Sequence, residues 1–230
     1  MESRTSVRVA CPSCSAEVAL DLPAVVDVER QPELAARVHD YTLPLVACPD
    51  CGASFRVESP FLYLDGRRGL VIEVVPSRDL GDWKGLEQRL VDFEARRPLP
   101  DAERFSTRRL VFGLRQLNEK IFVATNGLDD VRLELLKLAL LSSRPELAQR
   151  LTGRFPELLL EGLVENDLVF LVLTRDEGGA LKQAQLPIPR RLYDALERDS
   201  ELAGGFAELQ GARFVSWLRY VEMTPVGPAA

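Results

Sequence analysis

Four cysteines are the residues whose type and spacing could do chemistry in this chain. Cys11-Pro12-Ser13-Cys14 and Cys48-Pro49-Asp50-Cys51 form two C-x-x-C pairs, with 33 residues between them and no cysteine left over. Four thiolates so paired can close a tetrahedron around one divalent cation. Two residues between ligands let a tight turn aim both sulfurs at one ion. Proline in the second position presets the backbone of that turn, and the amides after the first ligand can donate to its sulfur. Gly52 follows the second pair and supplies the positive φ such a turn needs. Ser15 holds the same place after the first pair, where a left-handed backbone costs an L-residue about 1–2 kcal/mol.

Other uses of paired cysteines fit less well. Structural disulfides belong to oxidising compartments, and Met1 to Val9 hold no apolar segment of the signal-peptide kind, so the chain is expected in the cytoplasm. A thioredoxin-like redox pair needs one C-x-x-C beside a βαβ unit, not two matched pairs. Iron in the same tetrathiolate geometry remains the chemical neighbour of zinc. The favoured reading is one structural Zn²⁺ on Cys11, Cys14, Cys48 and Cys51. With all four positions filled by protein, no site is left for water or substrate, which argues for structure over catalysis.

No catalytic residue is assigned. His39 is the single histidine, on a helical stretch far in sequence from any Ser or acid that would form a triad with it, and no G-x-S-x-G occurs. Asp129-Asp130 could suggest acid–base or metal chemistry, but a helix cap explains the pair more simply. Charge narrows the partners. Lys and Arg total 29 against 35 Asp and Glu, a net of −6, and both halves of the chain are acidic. The Arg pairs at 67–68, 96–97, 108–109 and 190–191 are scattered, without the basic clustering that a phosphate backbone rewards. A protein partner is therefore expected, and neither nucleic acid nor a membrane. No run of about 18 uncharged apolar residues exists to span one.

Positioning the cysteines requires flanking structure, and the chain supplies it. Val7 and Val9, then Val18 and Leu20, alternate around the first pair; Val46, Phe55 and Val57 bracket the second. Each pair reads as the tip of a β-hairpin, the build of a zinc ribbon. Gln31 to Tyr41 reads as a short helix with Pro32 in its first turn and Leu34, Val38 and Tyr41 on one face, ended by Pro44. A hairpin is expected at 61–64 and 70–75 around Asp65–Gly69. A helix comes next over 82–95 with Trp83, Leu86, Leu90 and Phe93 as its apolar face. Arg96 to Thr107 reads as a linker. Then come a strand at Leu110–Phe112, a helix at 115–122, and a helix capped by Asp129 or Asp130 with Leu133, Leu136, Leu140 and Leu141 inward. The tail reads as strands at 158–164, 168–173 and 181–186, with Gly178-Gly179 as a turn, and a helix from Pro189 to about Arg198. Phe214, Trp217 and Tyr220 are either core or a partner surface.

The doubled Cys-Pro-x-Cys motif, its 33-residue spacer and the stretch Pro60-Phe61-Leu62-Tyr63-Leu64-Asp65 resemble the CpXC family of prokaryotic proteins. Leu117-Asn118-Glu119-Lys120-Ile121 and Asn126-Gly127-Leu128-Asp129-Asp130 resemble sequence C-terminal to the motif in longer members. The resemblance covers residues 6–130. It departs at Ser15, where glycine is usual. It implies a metal site and implies no activity.

The expected architecture is α+β, with zinc-ribbon β-hairpins and helices plus a smaller C-terminal α/β region. A CpXC-like zinc-ribbon domain is placed at 1–126 and an α/β domain at 127–230. The function expected is a non-enzymatic, zinc-stabilised adaptor. Its alternatives are a zinc-ribbon transcription regulator, or an enzyme with an unrecognised site in the C-terminal domain.

Overall fold

The computed structural model describes residues 4–96, 102–151, 157–175, 181–196 and 207–220. It is α+β. By contact density the chain divides into two units, one of residues 1–80 and 88–118, the other of 81–87 and 119–230.

The first unit begins with a hairpin, β1 (Arg4–Ala10) and β2 (Glu17–Pro23). Its register sets Val7 opposite Leu20 and Val9 opposite Val18, as the period-2 pattern requires. A second, shorter hairpin is built from β4 (Leu45–Ala47) and β5 (Ser54–Arg56), with Val46 opposite Phe55. Between β2 and β4 lie β3 (Val25–Asp27) and α1 (Pro32–His39). The helix starts at Pro32, where a missing N–H costs nothing. It buries Ala35 and Val38. It stops two residues short of the expected end, and Tyr41 leaves the apolar face: its φ is +56° and it is exposed. The chain turns there because Thr42 and Leu43 both donate their amides to Arg37 O.

A four-stranded sheet forms the centre of this unit, in the order β3, β6 (Phe61–Asp65), β7 (Leu70–Val75), β8 (Thr107–Phe112). The β6–β7 pair is antiparallel, while β3–β6 and β7–β8 are parallel. Strand β7 carries Val71, Ile72, Val74 and Val75 buried on both faces, which is why its sequence reads as a continuous apolar run. Asp65 closes the β6–β7 turn. Fully buried, it accepts from the amides of Arg67 and Arg68 and, at 2.6 Å, from the Arg68 guanidinium. Gly69 comes next at φ +67° with Ser106 close against it, and its carbonyl accepts from Thr107 N to start β8. The stretch expected as a linker is thus internal to one sheet, a return connection from β7 to β8. Residues 97–101 of it lie outside the described residues.

Helix α2 (Trp83–Arg96) succeeds a 3₁₀ turn at Ser77–Asp82. Trp83 is buried, but Phe93 is 55% exposed. Leu86 and Leu90 are half-buried, so the expected four-residue apolar face fails only at Phe93. Helix α3 (Gly113–Thr125) opens with Gln116 Oε1 accepting from Phe112 N. The unit division falls within α2 and within α3.

The second unit holds α4 (Asp130–Ser143), α5 (Pro145–Arg150) and an antiparallel sheet ordered β11 (Leu181–Pro189), β10 (Asp167–Arg175), β9 (Glu157–Val164). Asp129 caps α4 by accepting from Arg132 N at 2.7 Å, as the capping reading requires. Pro189 ends β11 instead of opening a helix; α6 spans Arg190–Leu196. The expected glycine turn at 178–179 and the helix end at 197–198 lie outside the described residues. After α7 (Ala207–Gly211), Phe214, Val215, Trp217 and Leu218 are buried at 1–3% exposure while Tyr220 stands 39% exposed. Phe214 and Trp217 are core. Among the described residues no helix is long and apolar enough to cross a membrane.

Candidate metal centre

The two cysteine pairs sit in the β1–β2 and β4–β5 turns, and the turns repeat one design. Cys11 N donates to Ala16 O at 2.8 Å and Ser15 N to Cys11 O at 2.8 Å; Cys48 N donates to Ala53 O and Gly52 N to Cys48 O, both at 2.9 Å. In each turn the residue after the second cysteine is left-handed: Ser15 at φ +61° and Gly52 at φ +72°. Glycine adopts that backbone freely and serine does not, so the first turn carries strain the second lacks. Ser13 N lies 3.4 Å from Cys11 Sγ, the amide-to-sulfur contact that the C-x-x-C spacing sets up.

All four sulfurs come together. Cys11 Sγ lies 3.7 Å from Cys51 Sγ, and Cys14 Sγ lies 3.7 Å from Cys48 Sγ. The four lie within 4.8 Å of one another. A tetrahedral ion with metal–sulfur bonds of about 2.3 Å requires sulfurs about 3.7–3.8 Å apart, so the set fits one metal ion. Cys11 and Cys48 are buried, at 1% and 2% exposure, in a small cluster with Val18, against which Val9, Ala16, Leu20 and Phe55 pack. Cys14 and Cys51 are exposed. Each pair therefore offers one inner and one outer sulfur.

The protonation of Cys11, Cys14 and Cys51 supports the same conclusion. Burial works against ionising Cys11, yet amide donation from Ser13 and Cys14 draws its thiol down to about 7. Ala16 N–H favours the Cys14 thiolate, but the surrounding sulfurs of Cys51, Cys11 and Cys48, together with burial, outweigh it and push the thiol up to about 12. The Cys51 thiol is also raised: the Ala53 amide and Cys14 lower it, and burial with Cys48 and Cys11 prevails. Without a cation the cluster prefers mixed protonation. A divalent ion reverses this by neutralising the thiolates it binds, releasing protons as it does so.

The other singled-out residues are placed elsewhere. His39 is the last residue of α1 and is exposed. Asp129 is a cap, and Asp130 faces Lys120 Nζ at 3.3 Å. That contact belongs to a cluster that pattern reading missed. In the second unit Lys137 Nζ sits 2.7 Å from Glu119 Oε1 and 2.9 Å from Glu134 Oε1, and Lys120 Nζ lies 3.4 Å from Glu134 Oε1. Lys120 also donates to Val215 O at 2.8 Å, Trp217 N donates to Glu134 Oε2 at 2.9 Å, and Leu160 N donates to Glu119 Oε1 at 2.5 Å. Burial pushes the Glu119 carboxyl up against the pull of Lys137. Burial disfavours the Lys137 ammonium, but Glu119 and Glu134 override it and raise its pKa. The one sequence signal was Glu134 and Lys137 standing inside a leucine run, three residues apart.

A family model described as CpXC protein matches residues 9–137. The match takes in both cysteine turns and the four-stranded sheet, and it ends within α4. No curated protein and no solved structure matches the chain.

Proposed function

The chain belongs to the CpXC family, which its matched span of more than half the sequence establishes, and from there we propose that it is a non-enzymatic, zinc-stabilised adaptor protein of the cytoplasm. The observation that supports this is the closed sulfur set. Cys11, Cys14, Cys48 and Cys51 lie within 4.8 Å of one another and leave no position on a tetrahedral ion for water or substrate. Such a site fixes loops and performs no hydrolysis. Zinc suits it because a d¹⁰ ion accepts tetrahedral thiolates without redox demands. The ion would lock the tips of the β1–β2 and β4–β5 hairpins into one rigid surface, and a partner protein would bind a surface held that way.

The net charge of −6 supports a protein ligand over a phosphate backbone. Two measurements test the reading. Elemental analysis of protein never exposed to chelator should give one zinc per chain; less than half an equivalent, or a red iron chromophore, overturns the metal assignment. Fluorescence anisotropy with a generic duplex should show affinity weaker than about 10⁻⁴ M at physiological salt. Micromolar binding with a steep salt slope would replace the adaptor with a nucleic-acid regulator.

A further inference from the structure

The cysteine turns are alike in hydrogen bonding and unlike in two respects that bear on reactivity. The inner sulfurs, Cys11 and Cys48, are covered; the outer ones, Cys14 and Cys51, are exposed. Each outer sulfur has an inner sulfur of the other turn 3.7 Å away, Cys48 beside Cys14 and Cys11 beside Cys51. The left-handed residue next to Cys14 is a serine and that next to Cys51 is a glycine. The first turn is thus held in shape against its backbone preference, and loss of one ligand there relaxes strain that the second turn does not carry.

We propose that the cysteine cluster is an oxidation site for a hydroperoxide, in which Cys14 is attacked first and Cys48 of the opposite turn closes the disulfide. The inference rests on the metal reading above. Cys14, which the bound ion would hold as a thiolate, attacks the O–O bond: an S–O bond forms, the O–O bond breaks and hydroxide leaves. Cys48 Sγ then attacks the Cys14 sulfur: the S–S bond forms, the S–O bond breaks and a second hydroxide leaves. Two thiolates, one hydrogen peroxide and two protons give one disulfide and two waters; the sulfurs lose two electrons and the peroxide gains them. The chain is left with two thiolates for the ion in place of four, and it releases the ion. A Cys14–Cys48 bridge joins the two hairpin tips, as the ion did, so the ribbon stays closed in its oxidised form. A second equivalent can bridge Cys11 to Cys51 in the same way.

The experiment uses the full chain, with its metal content measured first. Hydrogen peroxide is titrated in the presence of a chromogenic zinc chelator, a sulfenic-acid trap is added in a parallel sample, and free thiols are alkylated before peptide mapping. The expected result is trap on Cys14, one zinc released per first disulfide, and Cys14 linked to Cys48. Ser15→Gly, which removes the strain, should slow zinc release about three-fold. Zinc retained in excess peroxide, trap first on Cys51, a first bridge within either C-x-x-C pair, or an unchanged rate in Ser15→Gly each overturns the proposal while leaving the metal reading intact. A chain that carries no zinc before peroxide is added overturns both.

Discussion

The hairpin pair that carries the cysteines and the helix–sheet unit at the C-terminal end solve the same problem differently. Around the sulfurs a small cluster of Cys11, Val18 and Cys48 is buried, with Val9, Ala16, Leu20 and Phe55 packed against it. Strand β1 is exposed over Arg4, Thr5 and Ser6 and alternates between half-buried and exposed from Val7 onward. So little apolar area cannot offset the entropy of ordering two hairpins and the loop between them; in the proposed reading a metal ion held by the four sulfurs supplies the difference. The second unit buries Leu133, Leu136, Leu140, Leu158, Leu160, Leu168, Phe170 and Ile188. That core can enclose Glu119, Lys120, Glu134 and Lys137 besides, because each charge meets a partner and the spare lone pairs accept main-chain amides. A buried ion pair adds little net stability over apolar packing, but loss of one partner is severe. In the proposed reading one region depends on an ion from outside, whereas the other encloses charges of its own.

The comparison breaks most sharply at Cys48. Cys48→Ser leaves three thiolates and forfeits much of a folding contribution on the order of 10 kcal/mol for structural zinc sites. Hydrogen exchange should show β1, β2, β4 and β5 unprotected while β9, β10 and β11 keep their protection. Equal loss in both would mean that the two regions fold as one cooperative unit.

Lys137→Met probes the other side. It strands Glu119 in the core, leaves Glu134 with Lys120 as its remaining cation, and should cost about 3–5 kcal/mol in urea unfolding. Chelators should leave that deficit unchanged. A loss below about 1 kcal/mol would show that the network is replaceable packing.

A smaller effect tests whether the first unit also tolerates buried charge. Burial, aided by Glu94, pushes the Glu73 carboxyl up to about 7. The folded state therefore holds a proton that the unfolded chain releases from near pH 4.5. Stability falls as pH rises from there to about 7 and does not return above it. Glu73→Gln should be neutral at about pH 4 and stabilising at about pH 8, by up to about 3 kcal/mol. Thermal melts at the two pH values decide, and an equal shift at both would remove the titration from the explanation.

The smallest expected change is at the α4 cap. Asp129→Ala should cost about 1 kcal/mol, read by urea unfolding of the metal-loaded protein, and should leave zinc content untouched.

Much of the candidate metal centre is legible in the sequence, because its signals are local. Two residues between ligands, a proline in the turn, a left-handed residue after each pair and alternating valines all act over short stretches of chain, and each recurs in the structure as expected. The cap at Asp129 and the β6–β7 turn belong to the same class. What sequence spacing alone could not supply was which distant groups would share an interior. Glu134 and Lys137 sit in α4 as two charges in a leucine run, and the arrival of Glu119 and Lys120 from α3, Glu119 18 residues earlier than Lys137, makes their burial tolerable. Phe93 looked inward by helical period and is exposed, because a period selects a face without saying whether anything covers it. The parallel pairing of β7 with β8 turned an apparent linker into a connection within one sheet. Local geometry comes from neighbours along the chain; burial and charge pairing come from neighbours in space, and those exist only once the chain has folded.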